Sequence, residues 1–166
     1  AFRRRGAFWG GSAMGKRSSF NRIPRDFYPT PREAVLPLLP HLCEGFSYVE
    51  PCAGDGALCR GLGVAPLFAC DIEPAYSGAA IGDAFDLNME DVFAVDYIIT
   101  TPPWDRKVLH PMIEHFSGLR PTWLLFDADW MHTRQSARFM PWLKKVVSVG
   151  RVKWIPDSKM TGKDNC

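Results

Sequence analysis

Residues 48–58 read Tyr-Val-Glu-Pro-Cys-Ala-Gly-Asp-Gly-Ala-Leu: a short apolar strand, a proline, a glycine turn and the opening of a helix. Glycines placed just after a strand let the backbone take positive φ and come close to whatever lies above the turn. A unit of this kind needs a second strand to follow its helix. The apolar run at 66–71, ending Ala69-Cys70-Asp71, supplies one. A third buried strand is expected at 96–100, around Tyr97-Ile98-Ile99, and a fourth at 122–126. Such short, continuously apolar strands suit a sheet covered on both faces. Helices are expected at 31–39, with Thr30 as its cap, and at 55–62, 107–116 and 136–143. Strands alternating with helices give an α/β fold with a doubly wound, mostly parallel sheet. The β-rich runs at 145–149 and 151–155, separated by Gly150, predict an antiparallel C-terminal hairpin.

In such a sheet, ligands sit at the carboxyl ends of the strands. Glu50, Asp71, Asp83, Thr101 and Asp127 all fall at or just beyond predicted strand ends. The glycine turn Glu50-Pro51-Cys52-Ala53-Gly54-Asp55-Gly56 lacks the third glycine of a dinucleotide fingerprint and is acidic where a diphosphate would lie. It suits a ligand with ribose hydroxyls and positive charge, such as S-adenosylmethionine with its ammonium and sulfonium. An ordinary tight turn would use the same glycines. An acid some 20 residues further on, at the end of the next strand, is where ribose hydroxyls are held; Asp71 has that place, with Ile72 beside it. Asp83, followed by Ala84 and Phe85, is a candidate acceptor for an adenine amino group, and equally an ordinary turn residue.

The second motif is Thr100-Thr101-Pro102-Pro103-Trp104. Two prolines fix the direction of the Pro102 carbonyl, and Trp104 offers a face on which a planar base can stack. An exocyclic aromatic amine is a poor nucleophile because its lone pair is delocalised into the ring. Acceptors on both N–H bonds, the Thr101 side chain and the Pro102 carbonyl, would localise that pair. A purely structural Pro-Pro turn with a core tryptophan is the plainer alternative.

With these residues in hand, the chain resembles the S-adenosylmethionine-dependent amino-methyltransferases that modify adenine N6 or cytosine N4 in DNA. It is most similar to the small phage-type adenine enzymes. The matching pieces are Asp26-Phe27-Tyr28-Pro29-Thr30-Pro31, Glu50 to Gly56, Asp71-Ile72-Glu73, Gly82-Asp83 and Thr101-Pro102-Pro103-Trp104. The resemblance implies a Rossmann-like methyltransferase sheet, with Phe27, Tyr28 and Thr30 closing over the methionine part of the cofactor. It assigns Glu50, Pro51, Ala53, Gly54, Asp55, Gly56, Asp71, Ile72, Asp83 and Ala84 to the cofactor, and Thr101, Pro102, Pro103 and Trp104 to the base and the reaction. One position departs from the family: the loop usually opens with Asn, Asp or Ser, and here with Thr101, whose hydroxyl both accepts and donates. The same loop serves RNA and protein-glutamine methyltransferases. A cofactor-binding module without catalysis, docking nucleic acid or protein, is the reading from another class.

The remaining sequence bounds partners and setting. With 166 residues the chain suffices for one domain with a core. No apolar run reaches the length of a membrane span, and no signal peptide opens the chain. The five cysteines fit no zinc spacing and, with no secretory signal, read as reduced thiols in a cytoplasmic protein. His110, His115 and His132 share no ligand spacing either, so no metal is expected. Residues 1–25 carry Arg3, Arg4, Arg5, Lys16, Arg17, Arg22 and Arg25 and no acid, the composition of a flexible basic arm suited to a polyanion; Gly10-Gly11-Ser12-Ala13 resembles a cloning linker, so residues 1–13 are set apart from it. The methyltransferase domain is expected over 26–166. Nucleic acid, DNA first, is the expected partner. A domain of this size leaves no room for a separate target-reading domain, so a protein partner for target recognition is a further expectation.

Overall fold

In the computed structural model, residues 27–154 are described, together with the backbone strand Lys163–Asn165. The basic arm and residues 155–162 lie outside the described residues.

Five strands form one parallel sheet: β1 (Tyr48–Glu50), β2 (Phe68–Asp71), β3 (Ala80–Ile81), β4 (Tyr97–Thr100) and β5 (Thr122–Leu124). Their spatial order is β3-β2-β1-β4-β5. The chain winds outward from β1 through β2 to β3, then returns to the other side of β1 for β4 and β5. The reversal leaves a crevice beyond the carboxyl ends of β1 and β4, which is the switch point where open α/β sheets take ligands.

Alternation along the central strands explains why both faces need cover. Tyr48 and Ile99 point to one face, where they pack with Val35, Leu58 and Leu62 from α1 (Arg32–Val35) and α2 (Ala57–Leu62). Val49 and Ile98 point to the other, against Met112 and Phe116 of α3 (Arg106–Ser117) and Leu87, Val92 and Val95. Tyr48, Val49, Ile98 and Phe116 have no exposed surface. Each such side chain contributes roughly 1.5–3 kcal/mol of burial. A third cluster joins Leu109, Phe126, Trp130 and Phe139.

Local chemistry sets several boundaries that differ from the sequence expectations. The first helix is α-helical only over Arg32–Val35 and continues as the tighter 3-10 turn Leu36–His41. Pro37 and Pro40 remove N–H donors there, so the α ladder cannot run on. The helix expected at 136–143 is instead two 3-10 turns, Arg134–Arg138 and Met140–Trp142. Pro141 removes a donor, and the Ser136 hydroxyl bonds back to the Met131 and Thr133 carbonyls. The hairpin between 145–149 and 151–155 is replaced by another pairing. Residues 143–149 form no strand, while β6 (Gly150–Val152) pairs antiparallel with β7 (Lys163–Asn165). Val146, Val147 and Val149 line an apolar groove of about 870 Å3 beside β5, with Ile99, Trp123 and Trp142 among its other walls. Among the described residues, no helix is long and apolar enough to cross a membrane.

Candidate functional site

The glycine turn owes its shape to backbone bonds from neighbouring elements. Ala53 N–H donates to the Cys70 carbonyl at 3.0 Å, and Gly54 N–H to Asp71 Oδ2 at 2.9 Å. The Gly54 carbonyl accepts from the amides of Ala75 and Tyr76. Gly54 and Gly56 sit at φ 51° and 78°. A methyl group on Gly54 would approach the Phe27 ring at 3.3 Å, and one on Gly56 would strike the Tyr76 ring at 2.7 Å. Both conformation and contact therefore require glycine at these two places.

Above this turn lies a cleft of about 70 Å3, floored by Ala53, Gly54 and Asp55 and walled by Asp71, Thr101 and Pro103. The segment 27–30 closes its outer side with Phe27, Tyr28, Pro29 and Thr30. Residues from four separate stretches of sequence thus meet at the switch point. The larger groove beside β5 is lined mainly by apolar side chains; the small cleft is where polar groups converge.

Thr30 departs from its expected role. The sequence suggests a cap for the helix that follows, but Pro31 occupies the cap position, with no side-chain cap bond. The buried Thr30 Oγ1 donates instead to Thr101 Oγ1 at 3.0 Å, across 71 positions of sequence. A hydroxyl denied water must find a partner, and the start of the Pro-Pro loop provides it.

Glu50 ends β1 with no exposed surface. Its Oε1 accepts from the Cys52 amide at 3.0 Å, whereas Oε2 completes no hydrogen bond, and neither does the buried Thr100 Oγ1 at the end of the adjacent strand. Burial pushes the Glu50 carboxyl up to about 8; the Cys52 amide opposes that rise, and nearby Asp71 adds to it. Glu50 is therefore protonated at neutral pH until a cation or donor is brought to it. The same burial, reinforced by Glu50, raises the thiols of Cys52 and, to about 11, of Cys59 and Cys70. These thiols stay protonated and act as small apolar side chains.

The other acids are partly engaged by the fold. Asp71 holds the Gly54 amide with one oxygen and the Glu73 amide with the other, at 2.9 Å each. Asp55 caps α2 through the Ala57 amide and pairs with Arg60 at 3.0 Å. Asp83 is exposed and accepts from the Phe85 amide at 3.0 Å, capping a 3-10 turn. Each carboxylate oxygen keeps a lone pair for a ligand.

The structure thus brings Phe27, Tyr28, Thr30, Ala53, Gly54, Asp55, Asp71, Thr101 and Pro103 to one cleft. Glu50, Pro51, Gly56 and Pro102 are buried and do not line it. Ile72 and Asp83 stand on the open surface beyond it, and Ala84 is absorbed into the core cluster of Val49 and Ile98. Trp104 meets Trp154 edge-to-face at 5.3 Å and packs against the third core cluster. Trp130 is buried between Phe126 and Phe139, and its indole N–H donates to His110 Nε2 at 3.0 Å. Cys52, Ala57 and Leu58 also line the cleft, and Tyr76 supports the turn, without any sequence signal that singles them out. Among the described residues, no three His, Cys, Asp or Glu groups gather where a metal could bind. No protein-family model and no curated protein matches the chain.

Proposed function

We propose that this chain is a Rossmann-like methyltransferase that moves a methyl group from S-adenosylmethionine to the exocyclic amine of a nucleobase, adenine N6 in DNA first. The observation that carries the reading is a juxtaposition: the acidic glycine turn and the Thr101-Pro102-Pro103 loop, 45 or more positions apart in sequence, bound one cleft at the sheet's switch point.

The residues suit the cofactor on two counts. Without a side chain at Gly54, the Phe27 ring seats against the turn, so the cover lies close over the floor of the cleft. Next to it is a buried carboxyl with an unpartnered oxygen, Glu50 Oε2, complementary to a cationic group. When bound, S-adenosylmethionine supplies a methyl carbon on a sulfonium: the amine nitrogen bonds to that carbon as its bond to sulfur breaks, and the electron pair leaves on sulfur.

The chain's own groups do the positioning. Asp71, Asp83 and Ile72 would hold the ribose and the adenine ring, and residues 27–30 cover the turn. Thr101 Oγ1 and the Pro102 carbonyl accept the amine's N–H bonds, which localises its lone pair; the proton released goes to solvent. Trp104, held by Trp154, offers a stacking surface to a base drawn out of its duplex. Alignment of the reacting atoms supplies most of the acceleration, with no covalent enzyme intermediate. Nucleic acid is accordingly the proposed partner and a separate protein the proposed source of sequence selectivity.

The test is transfer of radiolabel from S-adenosylmethionine to DNA, RNA and protein, followed by digestion. Label in N6-methyladenine or N4-methylcytosine supports the reading and fixes the base; label in RNA or in methylglutamine reassigns the acceptor. Cofactor binding without transfer to any acceptor leaves a binding module, and absence of binding refutes the proposal entirely.

A further inference from the structure

The hydrogen bond between Thr30 and Thr101 joins the cover of the cleft to its Pro-Pro loop. We infer that Thr30 is a positioning residue: its hydroxyl holds Thr101 Oγ1 toward the cleft, so that the amine acceptor is set in place only when residues 27–30 are closed. The inference rests on the proposed methyl transfer.

The argument is one of hydrogen-bond capacity. A threonine hydroxyl has one proton and two lone pairs. Donation from Thr30 takes one lone pair of Thr101 and leaves the other, with Thr101's own O–H, for the cleft that both residues line. A nucleobase edge presents the complement of that pair, an N–H beside a ring nitrogen. Asn or Asp at this position would need no such help, since each offers a carbonyl or carboxylate oxygen with two lone pairs. With a hydroxyl, direction must come from a neighbour. Thr30 is suited to give it because it is buried, so its own proton has no water to turn to. Pro29 and Pro31 on either side fix their own φ and restrict the backbone around Thr30. The Phe27 ring against Gly54 anchors the other end of the cover.

The linkage also makes the two halves of the site interdependent. If the cover opens to admit a ligand, the bond breaks and Thr101 is free to turn; when it closes again, Thr101 is reset.

The experiment uses the full chain, with Thr30→Val, which keeps the shape and removes the hydroxyl, and Thr30→Ser, which restores it. Methyl transfer and S-adenosylmethionine affinity are measured separately for each. Thr30→Val is expected to lose about tenfold in kcat, the usual effect of one directing hydrogen bond, with cofactor Kd within about twofold of the native protein. Thr30→Ser is expected to recover most of that rate. In urea unfolding, Thr30→Val combined with Thr101→Val is expected to cost less than the two single changes added, as for a contacting pair. Native kcat in Thr30→Val overturns the inference, as does a loss of rate matched by an equal loss of cofactor affinity, or strict additivity in the unfolding cycle. No transfer by the native protein to any acceptor refutes the proposed function, and this inference falls with it; transfer by the native protein that is indifferent to Thr30 refutes this inference alone.

Discussion

Replacing Glu50 by Gln should make the protein more stable at pH 8 and leave it nearly unchanged at pH 5. Glu50 is fully buried with one oxygen unpartnered, and its carboxyl is raised from 4.5 to about 8. In the unfolded chain it would titrate at its ordinary value. Between those two values the native state holds a proton that the unfolded state has lost, so stability falls as pH rises. The slope is about 1.36 kcal/mol per pH unit. Over a gap of about 3.5 pH units the whole effect is on the order of 5 kcal/mol, present in full below pH 4.5 and lost by about pH 8. Glutamine imitates the protonated acid: its oxygen can still accept from the Cys52 amide, and its NH2 group can donate to the idle Thr100 hydroxyl. The assay is urea unfolding of both proteins at pH 5, 6, 7 and 8. The difference between them should grow steadily in favour of the variant. Any pH dependence from other groups, His110 among them, is common to both and cancels. Parallel curves from pH 5 to 8 would refute the reasoning. The same logic makes cofactor binding release a proton near pH 7: a cationic group at Glu50 favours the ionised acid, which calorimetry in buffers of different ionisation enthalpy would detect.

Gly56→Ala forces a side chain into φ 78° and against Tyr76; a loss of about 1–2 kcal/mol in unfolding free energy is expected, with S-adenosylmethionine affinity falling as the turn shifts. Trp154→Ala removes the edge-to-face contact on Trp104, worth about 0.5–1.5 kcal/mol; it should raise KM for nucleic acid while leaving cofactor Kd unchanged, and steady-state kinetics would separate the two. Burial and the guanidinium groups of Arg138 and Arg106 hold the His110 imidazole below its ordinary value, against the opposing charge of Glu114. Its Nε2 accepts from Trp130 only while unprotonated, so the stability it lends is present above about pH 6.5 and lost as pH falls through its lowered value; His110→Gln should flatten that part of the profile. Thr101→Asn gives the loop an oxygen that needs no direction from Thr30, so it should raise methyl transfer and abolish the sensitivity to Thr30→Val, both measured with labelled cofactor.

The local signals in this chain are strong where one residue's chemistry settles the matter. Gly54 and Gly56 after a strand announced positive φ, and the turn has it. The apolar pairs Tyr48-Val49 and Ile98-Ile99 announced strands covered on both faces, and each pair divides between two core clusters. Pro37, Pro40 and Pro141 limit helices to short α or 3-10 pieces because each deletes a donor. The two-residue strand β3 was invisible, since Ala80-Ile81 is too short to carry a pattern.

Sequence by itself therefore determined the α/β class, the positions of β1, β2, β4 and β5, and the two motifs, since each depends on contiguous residues and backbone sterics. Only the tertiary structure decided what those motifs meet. The strand order set β1 beside β4 and so brought Glu50 next to Thr100, leaving a buried acid without a full set of partners. Packing absorbed Ala84 and Trp130 into the core, and folding of residues 27–31 over the turn turned Thr30 from a helix cap into a partner for Thr101. These are contacts between residues tens of positions apart. Their energies depend on burial and on which donors water can no longer reach, and neither is written in any local stretch of the chain.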